Sequence, residues 1–233
     1  MAHVVPAFLS DLHRPSLWRG SAIGALLVLG LLGTLVATAS LEPQKPPGID
    51  RVLLKAGMSL MLTVAAVLGS FSFTSDYRSG CFTRRVLLFQ RGAAFAGRAA
   101  ATALAALVMG AAVGVLFGLS GELLDGLRGF NFPAVLGFAG MAGMGSLWGF
   151  AVGSLIRSHL VSLFVVPLTL VVPELLSGSL GQAKQFLFPV LAADWADHVA
   201  FHIPASGSFV GVASWLLVVT AVAFGAFLKR DLA

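Results

Sequence analysis

Few residues of this 233-residue chain could carry chemistry, and the most distinctive is Glu174. Its carboxylate lies within the apolar run 160–178, where an ionisable side chain is costly and is therefore a candidate for binding or transport. At 1.5 Å per residue, Glu174 lies about 21 Å from the start of a helix over this run, near its far end. The alternative is an interfacial residue that caps local structure.

Two further patterns lack essential parts of the sites that they resemble. Ser120, in the sequence G-L-S-G, matches the G-x-S-G of rhomboid intramembrane proteases, but the last apolar run, 208–228, has no histidine to act as a base. His198 and His202 lack the H-E-x-x-H pattern of a zinc site. The chain has no G-x-x-x-x-G-K-[ST] loop for ATP. We therefore expect no catalytic residue, metal or cofactor in this chain.

The composition excludes a soluble protein and a disordered one. The hydrophobic fraction is 58%, the charged fraction is 11%, and the mean hydropathy is +0.93. Soluble domains have about 25% charged residues, and disordered chains are polar. The single cysteine, Cys81, excludes an intramolecular disulfide. The chain is therefore expected to be an integral membrane protein.

Six apolar runs are long enough to cross a membrane as helices. They lie at 21–40, 56–75, 99–119, 133–156, 160–178 and 208–228. Because the runs are apolar on all sides and do not alternate with polar residues, helices are favoured over strands. We predict one all-α domain, 1–233, with six transmembrane helices.

The charges predict the orientation. With both termini in the cytoplasm, ten of the fifteen Lys and Arg residues fall on the inner side, as expected for short loops. Half of these ten lie in one loop, 76–98. The positive charge is therefore attributed to membrane topology, and no nucleic-acid partner is expected.

Three segments outside the spans have their own character. Residues 1–19 mix apolar and charged side chains, as in a helix that lies in the headgroup plane. Residues 179–207 form a hydrophobic outer loop, for which we predict two short amphipathic or re-entrant helices. The loop 76–98 predicts a short amphipathic helix, either an anchor for anionic lipids or a docking surface for a cytoplasmic partner. Composition alone favours the lipid anchor.

Small residues recur every four positions in the third and fourth spans. Such rows allow helix backbones to approach closely. Packing within the subunit is favoured, and the alternative is a face that packs against a second copy or slides during a transport cycle. The two rows are Gly110, Gly114, Gly118 and Gly145, Gly149, Gly153.

The loop after the second span carries a recognisable order of residues. It contains an acidic residue, an aromatic residue, a basic residue and a glycine, and then four arginines: Asp76, Tyr77, Arg78, Gly80, Arg84, Arg85, Arg91 and Arg98. This order resembles the permease subunits of bacterial ABC exporters of the ABC-2 type. The end of the fourth span, 149–162, and the tail, 227–231, are also similar to those permeases.

The resemblance implies a half-sized permease that works as a dimer, a homodimer or a heterodimer, in the bacterial plasma membrane. Two separate ATPase subunits would bind ATP and magnesium and would drive export of a drug, peptide or lipid-linked molecule. It further implies that the coupling residues are Asp76, Tyr77, Arg78, Gly80, Arg84, Arg85 and Arg91. The candidate path residues are Phe71, Phe73, Leu170 and Glu174.

Three alternatives to an exporter stay open. A secondary transporter or channel would work without ATP, although such proteins usually have polar residues at the midplane, which these spans lack. An intramembrane enzyme is disfavoured by the missing base. A membrane anchor or sensor would move nothing.

Overall fold

A computed structural model describes residues 3–40, 49–125, 131–176, 178–202 and 207–229. Within these residues the regular secondary structure is entirely helical, with nine α-helices and one short 3-10 helix. The predicted all-α class is therefore confirmed.

Six of the helices are long and apolar enough to cross a membrane, which confirms a multi-pass membrane protein. They are α2 (Pro15–Ser40), α3 (Ile49–Arg78), α5 (Arg91–Asp125), α6 (Phe132–Ile156), α7 (His159–Leu176) and α9 (Ser208–Lys229). They coincide with the six predicted runs. Three of them, α2, α3 and α5, begin six, seven and eight residues earlier than predicted, because the residues that flank their apolar runs remain helical.

The shorter helices lie between or before the spans. They are α1 (Val4–Leu12), α4 (Cys81–Phe89), the 3-10 helix (Gly181–Phe186) and α8 (Phe188–Phe201). The predicted interfacial helix over 1–19 is divided, because Pro15 suits the first turn of α2 but not a helix interior. The predicted outer segment 179–207 contains the 3-10 helix and α8, while 203–206 lie outside the described residues.

The loop between α3 and α5 is shorter than its predicted extent of 76–98. Helix α3 continues to Arg78, α5 begins at Arg91, and α4 fills the space between them. Gly80 has a φ of 67°, in the left-handed region that glycine adopts without strain, and this turn starts α4.

Helix α6 is the central helix of the bundle, and its glycines let α3 approach closely. A methyl group on Gly149 would overlap the carbonyl oxygen of Ala66, and one on Gly153 would lie 2.8 Å from the Cα of Ser70. Gly145 faces the carbonyl of Leu62 in the same way. This row therefore packs α6 against α3 within the subunit.

The other glycine row lies on α5 and faces α6. A methyl group on Gly110 would lie 2.8 Å from the Cα of Ala139, and one on Gly114 would lie 2.8 Å from the Cα of Val135. Gly118 follows one turn later on α5. At Gly110 and Gly114, the contacts are again those of helix packing within the subunit.

The two described ends of the chain lie at the same end of the bundle. Arg91, at the start of α5, donates a hydrogen bond from Nη1 to the carbonyl of Leu228 near the end of α9, at 3.1 Å. Helix α1 packs on α5 and also contacts α4. We call this the α4 end, and we call the opposite end, which carries α8, the α8 end.

Candidate functional site

The α4 end contains a buried network of charges centred on Asp11 of α1. The Asp11 side chain has no exposed surface. Its carboxylate contacts Nη1 of Arg98 at 3.0 Å and Nη2 of Arg85 at 2.5 Å. These ion pairs tie α1 to both α4 and α5.

Asp76, at the end of α3, extends this network. It accepts a hydrogen bond from Nη1 of Arg14 at 2.8 Å and lies 3.4 Å from Nη2 of Arg98. Three arginines therefore face two aspartates, and the network joins the segment from α1 to α2 with α3, α4 and α5. We call these residues the arginine–aspartate network: Asp11, Arg14, Asp76, Arg85 and Arg98.

The amphipathic sequence of α4 gives the helix two distinct faces. Phe82 and Arg85 are three residues apart and both point into the protein, with 0% and 4% of their surface exposed. Arg84 is exposed, as are Leu87 and Leu88, at 83% and 71%. The outward face is therefore apolar and cationic.

An aromatic cluster fixes the inward face of α4. The Phe82 ring lies 5.0 Å from that of Phe73 and 5.2 Å from that of Phe227, measured between ring centroids. Phe95 and Phe150 complete the cluster. Helix α4 is thus packed against side chains of α3 and α9 and also contacts α5, and through the shared aromatic cluster it is joined to α6.

The predicted coupling residues take different positions. Arg78 and Arg84 are exposed, whereas Asp76 and Arg85 are buried in the network and offer no surface to a partner. Asp76 and Arg85 therefore position α4, whereas the side chains of Arg78 and Arg84 are accessible at the surface.

The remaining coupling residues make contacts within the chain. Arg157 donates to the Tyr77 hydroxyl at 3.0 Å, and its guanidinium lies 5.0 Å from the centroid of the Tyr77 ring. This pair links the end of α3 to the turn between α6 and α7. Gly80 supplies the turn before α4, and Arg91 reaches the end of α9.

Sequence analysis missed Asp11 and Arg14 as members of the network. In the sequence, Asp11 is one of the polar residues of the predicted interfacial helix, and nothing there indicates that it is buried. The one available signal is helical spacing. Ala7 and Phe8 lie four and three residues before Asp11, and both pack inward on the same side of α1. Its partner Arg98 lies 87 residues away, so no local pattern connects the two.

The α8 end contains a cavity of about 830 Å³ between α2, α3, α6, α7 and α8, which we call the outer cavity. Its lining is mostly apolar. The polar side chains are three hydroxyl groups and three charges, from Thr34, Ser59, Thr63, Glu174, Lys55 and Asp197.

The charges of the outer cavity are not equivalent. The Lys55 ammonium and the Asp197 carboxylate form a direct ion pair between α3 and α8. Glu174 is exposed, and none of the described residues forms an ion pair with it. Glu174 is therefore the unpaired charge of this cavity.

Two of the four predicted path residues lie in the packed interior and not in the lining of the outer cavity. Phe73 is fully buried in the aromatic cluster, and Leu170 is 2% exposed in the main core. Both are packing residues, because neighbouring helices cover the faces on which they lie. Phe71 and Glu174 do line cavities.

Phe71 lines a second, smaller cavity of about 150 Å³ near the α4 end. Its ring stacks on that of His159, with centroids 4.4 Å apart. Six hydroxyl side chains and one arginine of the arginine–aspartate network line this cavity. They are Ser16, Ser21, Ser72, Ser75, Thr102, Ser146 and Arg98.

Asp194 of α8 has a raised pKa, because partial burial and the neighbouring Asp197 carboxylate both disfavour its charged form. Because the pKa of Asp194 is higher in the folded protein than in the unfolded chain, its charged carboxylate destabilises the folded state at neutral pH. This destabilisation decreases as the pH falls through the folded-state pKa, and it is absent below the unfolded value of 3.8. We therefore expect Asp194→Asn to raise the midpoint of thermal unfolding at neutral pH. The gain should vanish below pH 3.8, as measured by circular dichroism across pH. A gain that persists in acid would contradict this explanation.

Within the described residues, no three His, Cys, Asp or Glu side chains cluster as metal ligands. The site chemistry therefore consists of ion pairs at the α4 end and an amphipathic cavity at the α8 end. No protein-family model matches the chain, and no curated protein matches it.

Proposed function

We propose that this chain is the membrane-spanning permease subunit of an ATP-driven exporter, and that α4 docks on a separate ATPase subunit. The observation that carries the proposal is the construction of α4. Its inward face is fixed by Phe82 and Arg85, and its outward face presents Arg84, Leu87 and Leu88. A rigid helix with an exposed apolar and cationic face is suited to fill a groove in a partner protein.

The contacts of α4 support a mechanical role. A displacement of α4 would act on α3, α5 and α9 through the aromatic cluster, and on α1 through the ion pair of Arg85 with Asp11. Coupling requires that the ATP-bound and ATP-free states of the ATPase favour different conformations of the permease. The difference between these conformational free energies is the coupling free energy. ATP and magnesium would bind to the ATPase, not to this chain.

The transported molecule would be amphipathic or lipophilic, because the outer cavity is mostly apolar and contains few polar groups. A second permease copy would enclose the path together with this one. The exposed arginines Arg19, Arg78 and Arg84 favour a cytoplasmic α4 end in a bacterial plasma membrane, with both termini inside.

Charge reversal on α4 tests the docking. In mild detergent, the wild-type chain should co-purify with an ATPase of about 25–35 kDa. The substitution Arg84→Glu should release most of this ATPase, because it places a carboxylate at the centre of the docking face. The matched control is Arg19→Glu, which changes another exposed arginine at the α4 end, on α2, and should keep the ATPase bound.

The yield of ATPase is measured by its hydrolysis rate per mole of permease. Full retention by Arg84→Glu would contradict docking through α4. Equal release by both variants would indicate a general effect of charge and would also contradict it. Arg85 is left unchanged in this experiment, because it holds the network together.

A further inference from the structure

We propose that the outer cavity is a binding site for lipophilic cations. An ammonium or phosphonium group would lie beside Glu174, and its apolar substituents would lie between α2, α3 and α7.

The dimensions of the cavity suit a small organic molecule. Its volume of about 830 Å³ lies within the range of about 300–1,000 Å³ that is typical of small-molecule sites. Along α3 it extends from Val52 to Thr63, eleven residues or about 17 Å. The cavity therefore reaches inward from the charged α8 end, and an amphipathic ligand would keep its polar group near the mouth.

The apolar part of the ligand would contact flexible and branched side chains. Several helices contribute them, and they include Leu31, Leu35, Met58, Leu60, Met141 and Val171. Methionine side chains adapt to irregular shapes, so the site favours a class of molecules over one particular structure.

The charges of the cavity select the sign of the ligand. Lys55 and Asp197 neutralise each other in their ion pair, which leaves Glu174 as the net charge. A cation would gain the attraction of Glu174 in an apolar surrounding, where it is stronger than in water. An anion would meet the Glu174 carboxylate, while the one lysine of the lining is already occupied.

The role of such cations as the transported substrate rests on the proposed function, but their binding does not. Binding needs neither ATP nor a partner, so it is tested on the full chain alone. A failure here leaves the ATPase experiment unaffected, and the reverse also holds.

Tetraphenylphosphonium and tetraphenylborate are matched probes, because they have nearly the same shape and opposite charges. We expect the chain in nanodiscs of zwitterionic lipid to bind tetraphenylphosphonium beyond the level of empty nanodiscs. The substitution Glu174→Gln should weaken this binding about two- to fivefold, and Glu174→Asp should largely retain it. Tetraphenylborate should bind Glu174→Gln at least as tightly as the wild type.

A second variant tests the cavity itself. Ala193 is exposed and lines the cavity, so Ala193→Trp should fill it and reduce tetraphenylphosphonium binding without loss of thermal stability. An unchanged tetraphenylphosphonium affinity in Glu174→Gln would overturn the proposal. So would binding of both probes at the level of empty nanodiscs, which would mean that lipid or a second copy of the chain covers the cavity.

Discussion

Replacing Asp11 with asparagine should destabilise the protein by about 3–5 kcal/mol, the usual result of removing one partner from a buried ion pair. Arg85 and Arg98 are 4% and 2% exposed, so neither guanidinium can turn to water. Arg98 would keep Asp76 as a partner at 3.4 Å. Arg85 would keep only the Ala7 carbonyl, with its Nε and Nη1 unpaired among the described residues.

The measurement is thermal unfolding in detergent, followed by circular dichroism, together with hydrogen exchange of the α1 amides. Exchange in α1 should rise more than in α6, because Asp11 is what ties α1 to the bundle by charge. The control is Arg84→Gln, on the exposed face of the same short helix, with a change within about 0.5 kcal/mol.

A double variant separates the lost ion pair from the lost packing. Adding Arg85→Gln to Asp11→Asn should recover part of the stability, since it removes the charge that was left without a partner. If Asp11→Asn alone changes the stability by less than about 0.5 kcal/mol, the network does not hold α1, and its proposed role in positioning α4 is wrong.

Replacing Gly149 with alanine should destabilise the packing of α3 against α6 by about 1–3 kcal/mol. The added methyl group would overlap the Ala66 carbonyl, which is backbone and cannot rotate aside. The two helices would therefore have to separate along their whole row of close contacts, which includes Gly145 and Gly153.

Gly33 provides a matched control with the opposite sign. It lies within α2, and a methyl group there would meet nothing within 4 Å. Gly33→Ala should therefore leave stability unchanged or raise it by about 1 kcal/mol, through helix propensity. Equal effects of the two substitutions on the unfolding midpoint would show that helix propensity, not close packing, explains the glycine row.

The transmembrane helices could be predicted because their signal is local. A run of about 20 apolar residues is sufficient in itself, and the start of α6 shows how well it works. Pro133 was the predicted first residue. The observed helix begins one residue earlier, after Asn131, whose side chain accepts a hydrogen bond from the backbone N–H of Ala134 at 3.3 Å.

The sides of these helices could not be predicted, because every side is apolar. Phe71 and Phe73 are two residues apart on α3 and so point in nearly opposite directions. Phe71 lines a cavity, whereas Phe73 is at the centre of the aromatic cluster. Only the positions of α4, α6 and α9 distinguish the two, and those positions depend on contacts between distant parts of the chain.

The buried charges were unpredictable for a related reason. Arg85 and its neighbour Arg84 are the same residue type, yet one is buried and the other is exposed. Their positions follow from the helical turn of α4 and from the presence of Asp11 on α1, 74 residues before Arg85. Counting charges correctly predicts that arginine is concentrated in this loop. It does not predict which of these arginines are exposed at the surface.

Cross-linking from Cys81 tests the central claim most directly. Cys81 is the only cysteine in the sequence, it is partly exposed, and it begins α4. A thiol-specific photoreactive group at this position, activated in native membranes, should form an adduct with an ATPase of about 25–35 kDa that contains a P-loop sequence. Adducts with lipid alone would contradict the account, because α4 would then be a membrane anchor and the chain would have no ATPase to couple.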